Sequence, residues 1–153
     1  MQISIETILS HTFFKGLPEH ILKLLAAEAM ALDFKPGATI FRSGSPANRF
    51  YLLIEGNVVL EAAPEGRDDE NKPALIETLG PGQVLGWSWL IPPYFWHFDA
   101  RAITPVRAIF FYGSRLRDKC ETDHDLGYEL MKRTSEIMIE RLHWAQRRLL
   151  EQA

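Results

Sequence analysis

Apolar positions in this chain recur with two different periods. Over residues 18–32, PEHILKLLAAEAMAL, the spacing is helical: Ile21, Leu24, Leu25 and Met30 share one face, and Pro18 stands where a helix can begin. The pattern predicts an amphipathic helix. Just before it, His11 to Leu17 is a short apolar knot with Gly16 near its end, and it predicts a small helical turn.

Between Phe34 and Tyr112 the period shortens. Alternating apolar runs (ATIF, FYLLIEG, NVVLEAA, ALIETLG, VRAIFFY) are cut at Pro36-Gly37, Gly44, Gly56, Pro64, Pro81-Gly82 and Pro92-Pro93. Many short strands with regular turn signals predict a jelly-roll barrel. The polar stretch PEGRDDENKP (64–73) lacks the ordered ligand spacing of a calcium loop and predicts a solvated hairpin loop. From Asp125 onward the period is helical again and predicts one long helix. A heptad stripe runs through Met131, Ser135, Met138, Leu142, Ala145 and Leu149, widened by Leu130, Ile137 and Trp144. A face this broad suits packing of its upper half on the barrel and pairing of the rest with a second copy, giving a homodimer.

The remaining composition narrows the class. The 153 residues fit one domain, and 46% hydrophobic with 24% charged residues is the balance of a globular protein. No run approaches the roughly 20 apolar residues of a membrane span, and the N-terminus lacks a signal-peptide pattern. A net charge of −3 argues against a nucleic-acid partner. The late arginines Arg141, Arg147 and Arg148 sit where cations complement a helix C-terminus. Cys120 is the single cysteine, so no intrachain disulfide or cysteine-based metal site is expected, and it reads as a buried bystander. A cytoplasmic location follows as the expectation.

The order of segments carries a resemblance: FFKGLPE, a helix, FKPGATIFRSGSPANRFYLLIEGNVVLE, LGPGQVLGWSWL, a strand, then a long helix. With Pro36-Gly37, Gly44, Gly56, Gly82 and Gly86 falling at its turns, this resembles the cyclic-nucleotide-binding domain shared by catabolite-activator-type regulators and the protein kinase A regulatory subunit. The resemblance implies a mainly β fold with flanking helices: a double-stranded β-helix (jelly-roll) barrel, short N-terminal helices and a long C-terminal helix. It implies a single domain over 1–153, with an N-terminal helical part (1–33), a barrel (34–113) containing a phosphate-binding cassette (82–98), and a C-terminal helical part (114–153).

In that family the cassette resembles F-G-E-x-A-L followed by P-R-[ST]-A. Backbone N–H groups at the glycine meet the cyclic phosphate, the glutamate takes the ribose hydroxyl, and the arginine neutralises the phosphate. Here the cassette reads Leu85-Gly86-Trp87-Ser88-Trp89-Leu90, with Trp87 in place of the glutamate. Aligned on RAITPVRAIFF, Trp96 stands in place of the arginine and His97 in place of Ser/Thr. Two lost contacts of about 1.5–3 kcal/mol each would weaken a micromolar ligand by about two to four powers of ten. Arg101 and Arg49 are the candidates to compensate. Strand alternation puts Arg101 on the side of His97 if no bulge intervenes.

The expected ligand-contacting residues are Gly86, Trp87, Ser88, Trp89, Trp96 and His97, joined by Ala145 and Gln146 through the family's helix contacts to the base. Two readings of the tryptophans stay open: a pocket that stacks a planar ligand, or rings that fill the pocket. His97 is either a cation for an anionic ligand at low pH or a structural histidine. No nucleophile elbow, phosphate loop or paired histidines of a metal-dependent cupin occur, so no catalysis, cofactor or metal is expected. The regulators it resembles continue from the long helix into a helix-turn-helix, whereas this sequence ends at Ala153. Direct DNA binding is therefore not expected. The expected role is a sensor domain acting in trans on an unknown protein partner. The alternatives are a ligand-free interaction scaffold and a true cAMP or cGMP receptor with substitute contacts.

Overall fold

A computed structural model describes residues 5–62 and 74–152. The chain forms two compact units, one ending at Leu116 and the other starting at Arg117. The first unit begins with α1 (Ile5–Ser10), a 3-10 turn (Thr12–Phe14) and α2 (Glu19–Glu28). Seven strands follow: β1 (Met30–Phe34), β2 (Thr39–Phe41), β3 (Arg49–Glu55), β4 (Val58–Ala62), β5 (Ala74–Leu79), β6 (Asp99–Ala102) and β7 (Val106–Tyr112). α3 (Gly113–Thr122) runs across the unit boundary, and α4 (His124–Gln152) makes up most of the second unit.

The strands form two antiparallel sheets, in the orders β1-β7-β3 and β2-β6-β4-β5. Hydrogen bonding does not close them into one barrel among the described residues. A shared interior joins them instead, built from Tyr51, Leu53, Val106, Ala108 and Phe110 of one sheet and Phe41, Val58, Leu60, Leu79, Ala100 and Ala102 of the other. This is the jelly-roll arrangement that the alternating runs predict. At Gly56 the backbone turns with φ 91°, and a side chain there would run into the carbonyl of Pro105, so the β3–β4 turn admits only glycine.

Three boundaries differ from the sequence reading. Helix α2 stops at Glu28, because Ala29 is already extended and Met30 pairs with Phe110 as the first residue of β1. Met30 is thus a strand residue, and the β region starts ahead of Phe34. The apolar residues of Met30–Phe34 alternate as well as they continue a helical face, and pairing with β7 decides between the two. In the C-terminal part, α3 is a separate helix ahead of the long one. Asp123 ends it and accepts the Leu126 N–H on its carboxylate at 3.1 Å, which caps α4. The polar hairpin loop at 64–73 lies outside the described residues. No helix among the described residues is long and apolar enough to cross a membrane. Cys120 is half-buried, and burial together with Glu121 and Asp123 pushes its thiol up to about 11.

The N-terminal knot packs on the outer face of the β1-β7-β3 sheet. Phe13 meets Phe50 edge-on at 5.3 Å, and Phe14 meets Phe111 at 6.0 Å. Beside them His11 is 3% exposed. Its Nδ1 accepts the Phe13 N–H at 3.1 Å, so Nε2 carries the proton and donates to the Leu53 carbonyl at 3.1 Å. The same carbonyl accepts the Gly82 N–H at 3.0 Å, so one oxygen ties the knot to the turn that opens the cassette segment.

Burial pulls the His11 pKa down to about 4, against a smaller upward pull from the Leu53 and Gln83 carbonyls. The folded protein therefore holds a neutral imidazole, whereas the unfolded chain takes up a proton near pH 6.5. This contribution is complete above pH 6.5 and is lost as pH falls towards 4, by about 3 kcal/mol in total. Urea melts between pH 7.5 and 4 are expected to show that slope for the native chain. His11→Asn should flatten it and cost about 1–2 kcal/mol at pH 7.

Candidate functional site

The segment that the sequence reading marks as a cassette begins where the chain leaves β5. A turn over 80–83 is held by the Gln83 side chain, whose Oε1 accepts the Gly80 N–H at 2.8 Å. Val84 and Leu85 then run antiparallel to β3: the Leu53 N–H donates to the Gln83 carbonyl, and the Leu85 N–H donates to the Tyr51 carbonyl. At Gly86 the pairing ends. Residues 88–90 form a turn, with the Leu90 N–H on the Trp87 carbonyl at 2.9 Å, and no helix forms at this point.

The returning segment is fixed on both sides of Trp96. Its N–H donates to the Ser45 carbonyl at 2.9 Å, and its carbonyl accepts the Gly44 N–H at 2.8 Å. Nearby, the Ala47 N–H donates to the Tyr94 carbonyl, and Tyr94 itself turns the chain with φ 63°. With its backbone held, the Trp96 ring lies flat against Phe41, centroids 3.7 Å apart and planes 6° from parallel. A side-chain carbon added at Gly86 would stand 3.1 Å from Trp96 Cζ3 and 3.4 Å from Phe98 Cζ. Trp96 and Phe98 therefore cover the backbone of Gly86 from inside the fold, and Trp96 belongs to the interior core.

The other tryptophans go elsewhere. Trp89 is fully buried, stacked on Phe50 at 4.7 Å in the outer layer beside the N-terminal knot. Trp87 is half-buried, Ser88 is buried, and His97 is exposed. Ala145 and Gln146 are exposed on α4 in the second unit. Of the expected ligand-contacting residues, the structure brings Gly86 and Trp96 together and sends Trp89 to a different layer.

The two candidate arginines are separated by strand parity. Ala100 and Ala102 face the core, so Arg101 faces out, where its Nε meets Glu61 Oε1 at 3.1 Å. Arg49 lies on the interior side of β3, in step with Tyr51 and Leu53. Its guanidinium sits 4.4 Å above the Phe110 ring and 5.8 Å from that of Tyr112. Burial raises the Tyr51 pKa, and the neighbouring Arg49 pulls it partly back. Phe41 and Tyr51, stacked at 6.2 Å, complete this surface; sequence reasoning missed both, although their inward parity along the strands was there to read.

Comparison with known proteins places the arrangement. Residues 31–123 match the family model described as the cyclic nucleotide-binding domain. The CRP-like cAMP-activated global transcriptional regulator of Mycobacterium tuberculosis is 28% identical over 120 residues, which is 78% of this chain and 51% of the regulator. The chain thus spans about half the length of that curated relative. A candidate cyclic nucleotide-binding protein from Geobacter metallireducens GS-15 superposes with a TM-score of 0.81 and 33% identity, covering 92% of this chain and 99% of that one. The regulatory subunit of a cAMP-independent protein kinase A from Trypanosoma brucei superposes with a TM-score of 0.71 at 23% identity, over 95% of this chain and 50% of that one. At that identity the likeness is one of fold.

The contact between Gly86 and Trp96 is testable by a double-mutant cycle. Gly86→Ala alone is expected to cost about 1 kcal/mol, because the indole must give way. In a Trp96→Leu background the same change should cost close to nothing, a coupling of about 1 kcal/mol. Strictly additive chemical melts would show that the ring does not lie over this backbone.

Proposed function

The chain belongs to the cyclic nucleotide-binding domain family, and from that membership we propose a regulatory module whose nucleotide position is filled by its own Trp96. The stack of Trp96 on Phe41 above Gly86 carries this reading. A cyclic nucleotide laid on Gly86 must first expel a buried indole, at about 3 kcal/mol or roughly a hundredfold in affinity. It then lacks the glutamate and arginine contacts, because Trp87 and Trp96 occupy those positions. The module is non-catalytic and works in trans, through contacts with a protein partner.

The same proposal assigns the second unit to self-association. On α4 the stripe of Met131, Ser135, Met138, Leu142, Ala145 and Leu149 repeats at spacings of four and three. Leu142 is 57% and Leu149 68% exposed, too much apolar surface for a solvated helix face to carry without a partner. A parallel or antiparallel pair of such helices buries both stripes at once, and a homodimer results.

Two measurements check the two halves. Purified protein heated with millimolar cAMP or cGMP is expected to melt at an unchanged temperature. A ligand at one hundred times its dissociation constant would add about 2.7 kcal/mol, and such a shift would end the reading of a filled site. By sedimentation equilibrium the native chain is expected to be a dimer at micromolar concentration, and Leu142→Glu should make it a monomer with its fold intact.

A further inference from the structure

At one end of the β1-β7-β3 sheet the chain forms a cleft of about 490 Å³, within the size range of small-molecule sites. Three strands build it by register. Arg107 on β7 stands opposite Asp33 on β1 and opposite Glu55 on β3, so acid, base and acid lie in one row across the sheet. Val106 and Ala108 flank Arg107 and face the core, so the row lies on the outer face, and all three of its residues are exposed. The guanidinium leans towards β1, where its Nε–H, one of five N–H donors, bonds Asp33 Oδ1 at 3.1 Å. Lys35, two residues beyond Asp33, brings a second cation to the same cleft.

The rest of the lining is apolar and stiff. Pro36 follows β1 and Pro105 precedes β7, each with a ring-fixed φ. Between them Phe34 pairs with Val106. Walls of this kind are set before a ligand arrives, so little ordering is needed on binding. Two carboxylates and two cations in one cleft discriminate by balance. A simple anion also meets two acids, and a simple cation also meets two bases. A molecule with one charge of each sign finds a counterpart for both ends. A free α-amino acid holds its charges on one carbon, too close together for groups carried by neighbouring strands about 4.8 Å apart. A dipeptide separates them by one more peptide unit and leaves an apolar side chain for the prolines. We propose that this cleft binds an apolar dipeptide as its zwitterion, with the ammonium at Glu55 and the carboxylate at Lys35 and the outer N–H groups of Arg107. The cleft shares no residue with the contact of Trp96, Phe41 and Gly86, so the two positions are independent.

The proposal is tested by amide chemical-shift titration of the full chain with three probes. Glycylleucine carries both charges, its N-acetyl derivative keeps only the carboxylate, and glycylleucinamide keeps only the ammonium. An exposed charge pair contributes up to about fivefold in affinity. Glycylleucine is therefore expected to bind weakly, at millimolar concentration, and about threefold to fivefold tighter than either blocked form. It should move the amide resonances of Lys35, Glu55 and Arg107. Glu55→Gln should remove the advantage over the N-acetyl form, and Lys35→Gln should remove most of the advantage over the amide form. Both positions are exposed, and the rest of the spectrum reports that each variant is folded. Equal affinity for the three probes, no shift at millimolar concentration, shifts scattered away from the cleft, or an advantage that survives either substitution would each overturn the proposal.

Discussion

Two sheets that share no hydrogen-bonded edge depend on the side chains between them. Among the described residues, the strand orders β1-β7-β3 and β2-β6-β4-β5 share no strand, so side-chain packing joins the two sheets, helped by the segment 82–85 that hydrogen-bonds along β3. Aliphatic residues fill most of the space between the sheets: Leu53, Val58, Leu60, Leu79 and Val106 are all buried. Beside Phe41, filling requires something larger, and the ring of Trp96 supplies it. The indole comes from a connecting segment and not from a strand, so its position depends on the backbone bonds to Gly44 and Ser45. Those bonds convert a loop residue into a core residue.

Trp89 shows the opposite use of the same side chain. Only Trp87 and Ser88 separate it from Gly86, yet it packs on Phe50, whose neighbours Phe13 and Phe111 belong to the outer layer. The turn over 88–90 therefore anchors to the outside of the β3 sheet while Trp96 anchors to the inside. His11 reinforces the outer anchor, because the Leu53 carbonyl serves both its Nε2–H and the Gly82 N–H. The N-terminal knot and the entry to the cassette thus share one acceptor. Loss of the neutral imidazole disturbs both.

The period-two runs read directly from the sequence, and each became a strand, because alternation between a core face and an outer face leaves one register that buries the apolar set. The glycine turns were equally legible: Gly37, Gly44, Gly56 and Gly82 all have positive φ. Two kinds of information were not in the sequence. Met30 satisfies a helical and a strand pattern at once, and only the partner strand β7 resolves it. The tryptophans at 87, 89 and 96 look like one cluster because they are close in sequence. Parity arguments stop at Gly86, where pairing with β3 ends, so nothing in the spacing tells which ring turns inward. Arg49 is the counter-example: it sits on a regular strand, and alternation alone puts it on the interior side.

That placement distinguishes this interior from a core that has merely filled in. A half-buried cation is a standing cost unless its surroundings offset its lost hydration. The Arg49 guanidinium lies over Phe110, where attraction to the ring face offsets part of its lost hydration. A cation–aromatic contact of this kind tolerates an added anion, because the donors lie in the plane of the guanidinium and the ring occupies its face. An ion pair with a resident glutamate would not. An aromatic ring held by a loop and an arginine held by a strand are thus the two side chains that set this interior apart from a purely aliphatic one.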